Sequence, residues 1–352
     1  MMEHRVALLF VILAAGCFLA GCTKNDAALE VPVVTVMTHD SFSIGKEVLD
    51  GFEKEQGVRL RFLKSGDAGA ALNQAILSKE HPLADVFYGV DNTFMSRALR
   101  ANIFVPYSSP LLSCIDESLV LDKTHRLVPV DYGDVCVNYD RAWFSQEGLP
   151  VPESLDDLVR PEYSGLLVVE NPATSSPGLA FLLATVGTCG EDGFVEFWQA
   201  LRKNRVLVTD GWEDAYWGKF SAASKGGRPL VVSYAASPAA EVYFAEQPPE
   251  SAPTAAMTGS GTAFRQIEFA GILKGARQPE LARRVIDFLL DTPFQQEIPL
   301  KMFMFPANKN ARLPEVFTEH ARLASRPVIL DPEVIAERRD AWIRAWTETV
   351  LQ

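Results

Sequence analysis

The residues able to do chemistry in this 352-residue chain lie in short polar loops that mix rings, hydroxyls and carboxylates. Gly211-Trp212-Glu213-Asp214-Ala215-Tyr216-Trp217 packs three aromatics and two acids together, a mix that core packing alone does not favour. In Ala173-Thr174-Ser175-Ser176-Pro177-Gly178-Leu179 hydroxyls precede an apolar run. Such a helix start, with its free backbone N–H groups, forms an anion or oxygen site. The same spacing serves equally as a plain N-cap with an early proline. Tyr234, in Ser233-Tyr234-Ala235-Ala236-Ser237-Pro238, falls just past a predicted strand. Met302-Phe303-Met304-Phe305-Pro306 fits a ring-bearing loop and a buried strand alike. Rings and carboxylates converging in a cleft suit a flat aromatic cation, through stacking and cation–π contacts of about 0.5–2 kcal/mol each.

Catalytic and cofactor signatures are missing. There is no Gly-x-Gly-x-x-Gly after the first predicted strand, no Walker loop, no His-Glu-x-x-His and no Gly-x-Ser-x-Gly elbow. His39, His81, His125 and His320 lack neighbours at helical spacing, so no metal site is expected; His39 stands apart because it follows the first strand. The 33 basic and 45 acidic side chains give a net charge of −12, and no basic stripe is visible. Nucleic acid is therefore excluded as a partner.

The N-terminus reads as a leader. Arg5 precedes an apolar run from Val6 to Gly21 that is too short to span a bilayer comfortably. Leu19-Ala20-Gly21-Cys22 looks like a bacterial lipobox: residues 1–21 form the signal peptide, Cys22 is acylated, and residues up to 30 are a tether. The expected location is the outer face of a membrane, held by acyl chains worth ~0.8 kcal/mol per buried methylene. Cys114, Cys136 and Cys189 then remain; they allow at most one disulfide and read as small buried hydrophobes.

The elements that must position the loops alternate. Strands are predicted at Val33–Thr38, Val58–Leu63 and Ala84–Gly89, with helices over Ile44–Glu55 and Ala68–Ser78. This rhythm implies an α/β fold with a mostly parallel sheet, whose ligand site lies at the carboxyl ends of the strands. His39, Asp40, Asp67 and Asp91 occupy such ends. A second α/β unit runs from about Val137 to Ala263. It holds strands Leu166–Val169 and Leu230–Ser233 and helices Gly178–Val186 and Phe194–Lys203. A strand at Ile267–Ile272 and a helix at Pro279–Leu290 follow. A last helix has Asp331 as N-cap, Pro332 first, and Val334, Ile335, Trp342 and Trp346 as apolar positions.

Several stretches together resemble the thiamine-binding subunits of bacterial ABC importers, within the two-lobed periplasmic binding proteins. They are Thr38-His39-Asp40-Ser41-Phe42, Gly89-Val90-Asp91-Asn92, Asp131-Tyr132-Gly133, Thr174–Leu179, Gly211–Tyr216, Ser233–Pro238, Gln295-Gln296-Glu297-Ile298-Pro299 and Arg339–Ile343. They run in order through the whole chain beyond the leader. The resemblance implies lobe 1 at 31–130 and 272–352, lobe 2 at 138–265, and hinge strands near 130–138 and 266–271. The ligand, thiamine or its mono- or diphosphate, would lie in the cleft between lobes. His39, Asp40, Asp67, Asp91, Ser175, Ser176, Trp212, Tyr216, Tyr234 and Phe303 are the implied binding residues. Ser175 would take the phosphate or hydroxyethyl end, and Asp91 would face the aminopyrimidine and thiazolium. No cofactor, metal or catalytic residue is implied; a monomer delivering its ligand to a membrane ABC permease is. Departures from the family pattern are His39 and Ala240 where relatives carry tyrosine, and Phe303 where they carry tryptophan. Tyr243 or Tyr216 would have to compensate for Ala240. Two alternatives stand beside this reading: a binder of another cationic heterocycle, and a thiaminase-like enzyme on the same fold. The enzyme would use Cys136 as nucleophile with Glu241 or Glu268 as base.

Overall fold

The computed structural model describes residues 31–247 and 249–352. The leader, Cys22 and the tether lie outside the described residues. Eleven strands form one sheet. They are β1 (Val33–Thr38), β2 (Arg59–Lys64), β3 (Val86–Asp91), β4 (Phe104–Val105), β5 (Val128–Asp140) and β6 (Leu167–Glu170). The rest are β7 (Leu207–Thr209), β8 (Leu230–Tyr234), β9 (Thr254–Ala256), β10 (Phe264–Leu273) and β11 (Phe305–Pro306).

The main path runs β2-β1-β3-β10-β5-β8-β6-β7, while β4 pairs with β10, and β9 and β11 with β5. At each end lies a parallel block: β2-β1-β3 and β8-β6-β7. Helical crossovers build these blocks, as the βαβ rhythm requires. The centre is different. β10 pairs antiparallel with β3 and β5, and β5 antiparallel with β8. The mostly parallel sheet expected from the alternation is thus corrected to a mixed one. Its two longest strands carry the antiparallel pairing, which long-range return of the chain creates and local periodicity does not reveal. The segments expected as hinges, near 130–138 and 266–271, fall within β5 and β10.

Helix Ser176–Lys203 joins the two helices expected separately, with Gly190 at φ 77° and ψ 167° breaking the regular turn between them. Its second half packs against the last helix, Pro332–Val350, through Trp198 and Trp346, rings edge-to-face at 5.6 Å. Asp331 caps that last helix by accepting from Glu333 N–H, and Ile335, Trp342 and Trp346 are buried. Val334, expected on the apolar side, is 40% exposed. Of Met302–Pro306 only Phe305–Pro306 is strand; Phe303 has φ 54°, a left-handed conformation that no β-strand accommodates. All three described cysteines are free, and only Cys136 is buried, so Cys114 and Cys189 depart from the expected buried role. No helix among the described residues is long and apolar enough to cross a membrane.

Candidate functional site

The register of the central strands brings the carboxyl ends of the two parallel blocks together. Glu268 on β10 lies opposite Asp91, the last residue of β3, and on its other side opposite Asp131 of β5. Tyr234, the last residue of β8, pairs with Val135 of β5, which pairs with Phe264 of β10. Between these two rows stands Gln266, opposite Gly133.

Gln266 is fully buried and links both sides. Its Nε2 donates to Asp91 Oδ2 at 3.2 Å and Ser176 Oγ at 2.9 Å, and its Oε1 accepts from the Tyr234 hydroxyl at 3.3 Å. Ser176 Oγ also donates to Asp91 Oδ2, and the Ser176 N–H donates to Asp67 Oδ1 at 3.3 Å. Asp67, Asp91, Ser176 and Tyr234, four residues singled out in the sequence, therefore share one hydrogen-bonded cluster. Gln266 itself was not singled out. It fell just outside the predicted strand Ile267–Ile272, which in the structure begins three residues earlier, at Phe264.

Asp91 also accepts through Oδ1 from Thr93 N–H, at 2.8 Å, and from Phe94 N–H, at 3.2 Å. Burial nevertheless pushes its carboxyl up to about 6, more than the bonds from Ser176 and Thr93 pull it down. Burial likewise raises Asp67, offset in part by the Ser176 N–H and by His39. Tyr234 is raised well above the usual phenol range, by burial first and then by Glu268, Asp67, Asp91 and Glu170.

Beside this cluster lies an ion-paired group. His39 Nε2 stands 3.4 Å from Glu268 Oε2, an ion-pair distance without hydrogen-bond geometry. Burial, the largest single influence, would lower the imidazole, but Glu268, Asp67 and Asp40 together outweigh it and His39 is raised. Burial also works against the charge of Glu268, yet His39, Tyr88 and Asp131 hold it below the usual carboxylate range. The Tyr88 hydroxyl donates to Asp131 and, at 3.1 Å, to Glu268. Asp131 is raised well above its ordinary value by burial and by the neighbouring Glu268. A β-bulge interrupts β10 at 268–270 and re-aims these side chains. Gly89, at φ 103°, leaves the space where the His39 ring sits; a Cβ there would collide with it.

The aromatic loop forms a shelf on the β8-β6-β7 side. Asp214–Lys219 adopts a π-helical turn, and Trp212 stacks on Tyr216 at 5.0 Å with 24° between planes. Trp212 Nε1 donates to Ser233 Oγ at 2.8 Å, one residue before Tyr234, which ties the shelf to the cluster. Tyr216 is buried among Val168, Ala215, Phe220 and Val231, and its hydroxyl donates to Glu241. Burial pushes the Glu241 carboxyl up to about 7, against bonds from Thr254 and Tyr216. Tyr216 is thus a wall of the shelf, with its polar end occupied.

Two expected residues lie in other company. Phe303 packs with Phe317, Tyr243 and Phe244, at ring distances of 6.5, 6.3 and 5.2 Å. Tyr243, 44% exposed, is therefore a partner of Phe303. Asp40 is exposed and accepts from Gly66 N–H at 3.0 Å, bracing the loops that follow β1 and β2. Ser175 is the N-cap of Ser176–Lys203, but its buried Oγ has no hydrogen-bond partner. Cys136 is fully buried, and burial drives its thiol far above the range in which a thiolate nucleophile forms. Among the described residues no group of His, Cys, Asp and Glu has the arrangement of a metal site.

A binding site at facing strand ends, framed by acids and rings, is that of a solute binder, and the chain belongs to the bacterial extracellular solute-binding proteins: the model of that family matches residues 81–324. Within the family it is similar to thiamine-binding periplasmic proteins. The one from Escherichia coli (strain K12) is 31% identical over 91% of this chain and 94% of its own length. That from Brucella suis biovar 1 is 33% identical over 91% and 92%. A solved periplasmic thiamin binding protein superposes with a TM-score of 0.81 at 30% identity, covering 91% of this chain and 96% of its own. The periplasmic binding protein AfuA from Actinobacillus pleuropneumoniae shares the fold, at a TM-score of 0.75 and 18% identity, covering 91% and 99%. The fold is that of the periplasmic binding proteins.

Proposed function

We propose that this protein captures thiamine, free or as its mono- or diphosphate, outside the cytoplasm and delivers it to an ABC permease. One observation carries the reading. Asp67, Asp91, Asp131, Glu170 and Glu268 are gathered where β3 and β6 end beside the central strands β5 and β10, and His39 is the cation paired among them. Burying acids without cations is costly, and a ligand with a fixed positive charge relieves that cost. The thiazolium supplies the charge, the aminopyrimidine donates hydrogen bonds to a carboxylate, and Trp212 offers a ring face. The names of the relatives point to the same ligand.

Capture is by hinge closure of two lobes, 31–130 with 272–352 and 138–265, about the strands near 130–138 and 266–271. Asp91, from the first lobe, and Ser176, from the second, meet on closure. The chain acts as a monomer, anchored at Cys22 to the outer face of a membrane. No bond in the ligand is broken: Cys136 lies buried in β5 with a thiol unable to ionise. Titration of the full-length protein with thiamine and both phosphates, followed by tryptophan fluorescence, tests the reading. A saturable change with at least one of them is expected; a flat response to all three at micromolar protein overturns it.

A further inference from the structure

Glu170 is the gathered acid for which the site supplies no hydrogen-bond partner. It ends β6, in register with Thr209 at the end of β7, and so stands at the base of the loops that carry Ser175 and Trp212. It is 1% exposed, and neither carboxyl oxygen has a hydrogen-bond partner. Ser175 Oγ, five residues further on, is buried and unpartnered as well. The first turn of Ser176–Lys203 lies directly against Glu170, since a Cβ on Gly178 would fall 2.6 Å from the Glu170 carbonyl oxygen and 3.0 Å from its Cβ. The nearby Ser176 N–H, which a phosphate would seek, already donates to Asp67.

Buried polar groups are almost always bonded, so a carboxyl with neither oxygen satisfied points to something that completes it. A helix start is an attractive seat for a phosphate only while its N–H groups are free and its surroundings are not acidic. Here two acids flank it. Burial, reinforced by Asp67, raises the Glu170 carboxyl well above the ordinary range, and a cation beside it would pull it back down. A thiazolium draws the carboxyl toward its charged form and gains an ion partner. A phosphate ester brings up to two negative charges against Asp67 and Asp91 and gains no such partner.

We propose that Glu170, with Asp67 beside the same helix start, is a specificity-determining residue that favours the free alcohol form of the ligand over its phosphate esters. This rests on the thiamine reading above. It assigns the hydroxyethyl end, rather than a phosphate, to Ser175.

The test compares thiamine with thiamine monophosphate on the full-length protein and its Glu170→Gln variant at neutral pH. The wild type is expected to bind thiamine at least tenfold tighter than the monophosphate. In Glu170→Gln that ratio should shrink to threefold or less, because the uncharged amide keeps the shape and cannot ionise. Equal affinities in the wild type, or an unchanged ratio in a variant that melts cooperatively, overturn the inference while leaving the thiamine reading intact. Binding of neither compound overturns both. Should Glu170→Gln fail to fold, Asp67→Asn takes its place, with the same narrowing expected and an unchanged ratio again decisive.

Discussion

The acidic cluster around Gln266 and the aromatic shelf at Trp212 sit side by side, yet they are held together in opposite ways. The shelf is largely local: Trp212, Tyr216, Trp217 and Phe220 pack on one another within a single turn and its exit. The cluster is made of bonds between residues far apart in sequence, Ser176 to Asp91 and Gln266 to Asp91 among them. If the two proposed lobes separate, the shelf stays whole, whereas the bond of Ser176 to Asp91 is lost. Under the proposed hinge closure, the shelf would hold a ring in the open molecule and the Ser176–Asp91 bond would register closing.

The largest effects are expected at Asp91. Replacing it with alanine leaves donors from Thr93, Phe94, Ser176 and Gln266 without their acceptor. Each buried group left unpaired costs about 1–3 kcal/mol, so a loss of about 3 kcal/mol or more in urea unfolding is expected. Asp91→Asn keeps most of the shape and removes the charge. Thiamine affinity measured by calorimetry should then fall tenfold or more with a smaller loss of stability. Normal binding by Asp91→Asn would break the assignment of the cation partner.

Next in size is Trp212→Ala, which takes one ring from the shelf and the donor to Ser233. A stacked cation–π contact of about 1–2 kcal/mol corresponds to a loss of roughly tenfold in affinity. Because the shelf is local, the unfolding midpoint should move less than for Asp91→Ala. A larger destabilisation than at Asp91 would reverse the contrast between the two regions.

The two regions also differ in their response to pH. Asp91 titrates near 6 in the folded protein, above its value of about 4 in the unfolded chain. The folded state thus prefers the protonated acid, and its contribution to stability falls as pH rises from about 4 through 6. The raised His39 adds the same trend: its contribution is present below about 6.5 and is lost as pH rises through its higher folded value. Ligand affinity should move the other way. A cation binds the ionised Asp91, so one titrating group gives up to about tenfold tighter binding between pH 5 and pH 7. Melting temperature and thiamine dissociation constant, measured across that interval, are both expected to fall as pH rises. A dissociation constant that holds level or rises with pH would remove Asp91 as the controlling acid.

Much of the shelf and of the outer blocks was legible in the sequence. Val33–Thr38 and Pro279–Leu290 have the predicted bounds because β-branched alternation and a strong apolar stripe are local signals. Asp67 and Asp91 were singled out by the rule that ligands gather at strand ends, and Ser176 by its hydroxyl at a helix start. The centre was not, because β5 and β10 owe their pairing to register between segments more than a hundred residues apart. Gln266, Tyr88 and the ion pair of Glu268 with His39 gain meaning only from that register. Glu170 was passed over for a related reason: nothing in Leu-Val-Val-Glu shows that the last residue goes unpaired.

The smallest effect is expected where a departure from the family pattern lies outside both regions. Phe303 is held at φ 54° and packs on Phe317, Phe244 and Tyr243 rather than on Trp212 or Tyr234. Tyr243 and Phe244 are exposed while Phe317 is fully buried, so Phe303 joins an exposed rim to a small core apart from the shelf. Phe303→Leu keeps apolar bulk but loses the ring contacts, each worth about 0.5–1.5 kcal/mol beyond area burial. Its thiamine affinity should stay within about threefold of wild type, since neither the acids nor the shelf is touched. A loss as large as that of Trp212→Ala would mean that the rim swings onto the ligand when the protein binds. The aromatic part of the site would then be shared between both sides of the closure instead of residing on one.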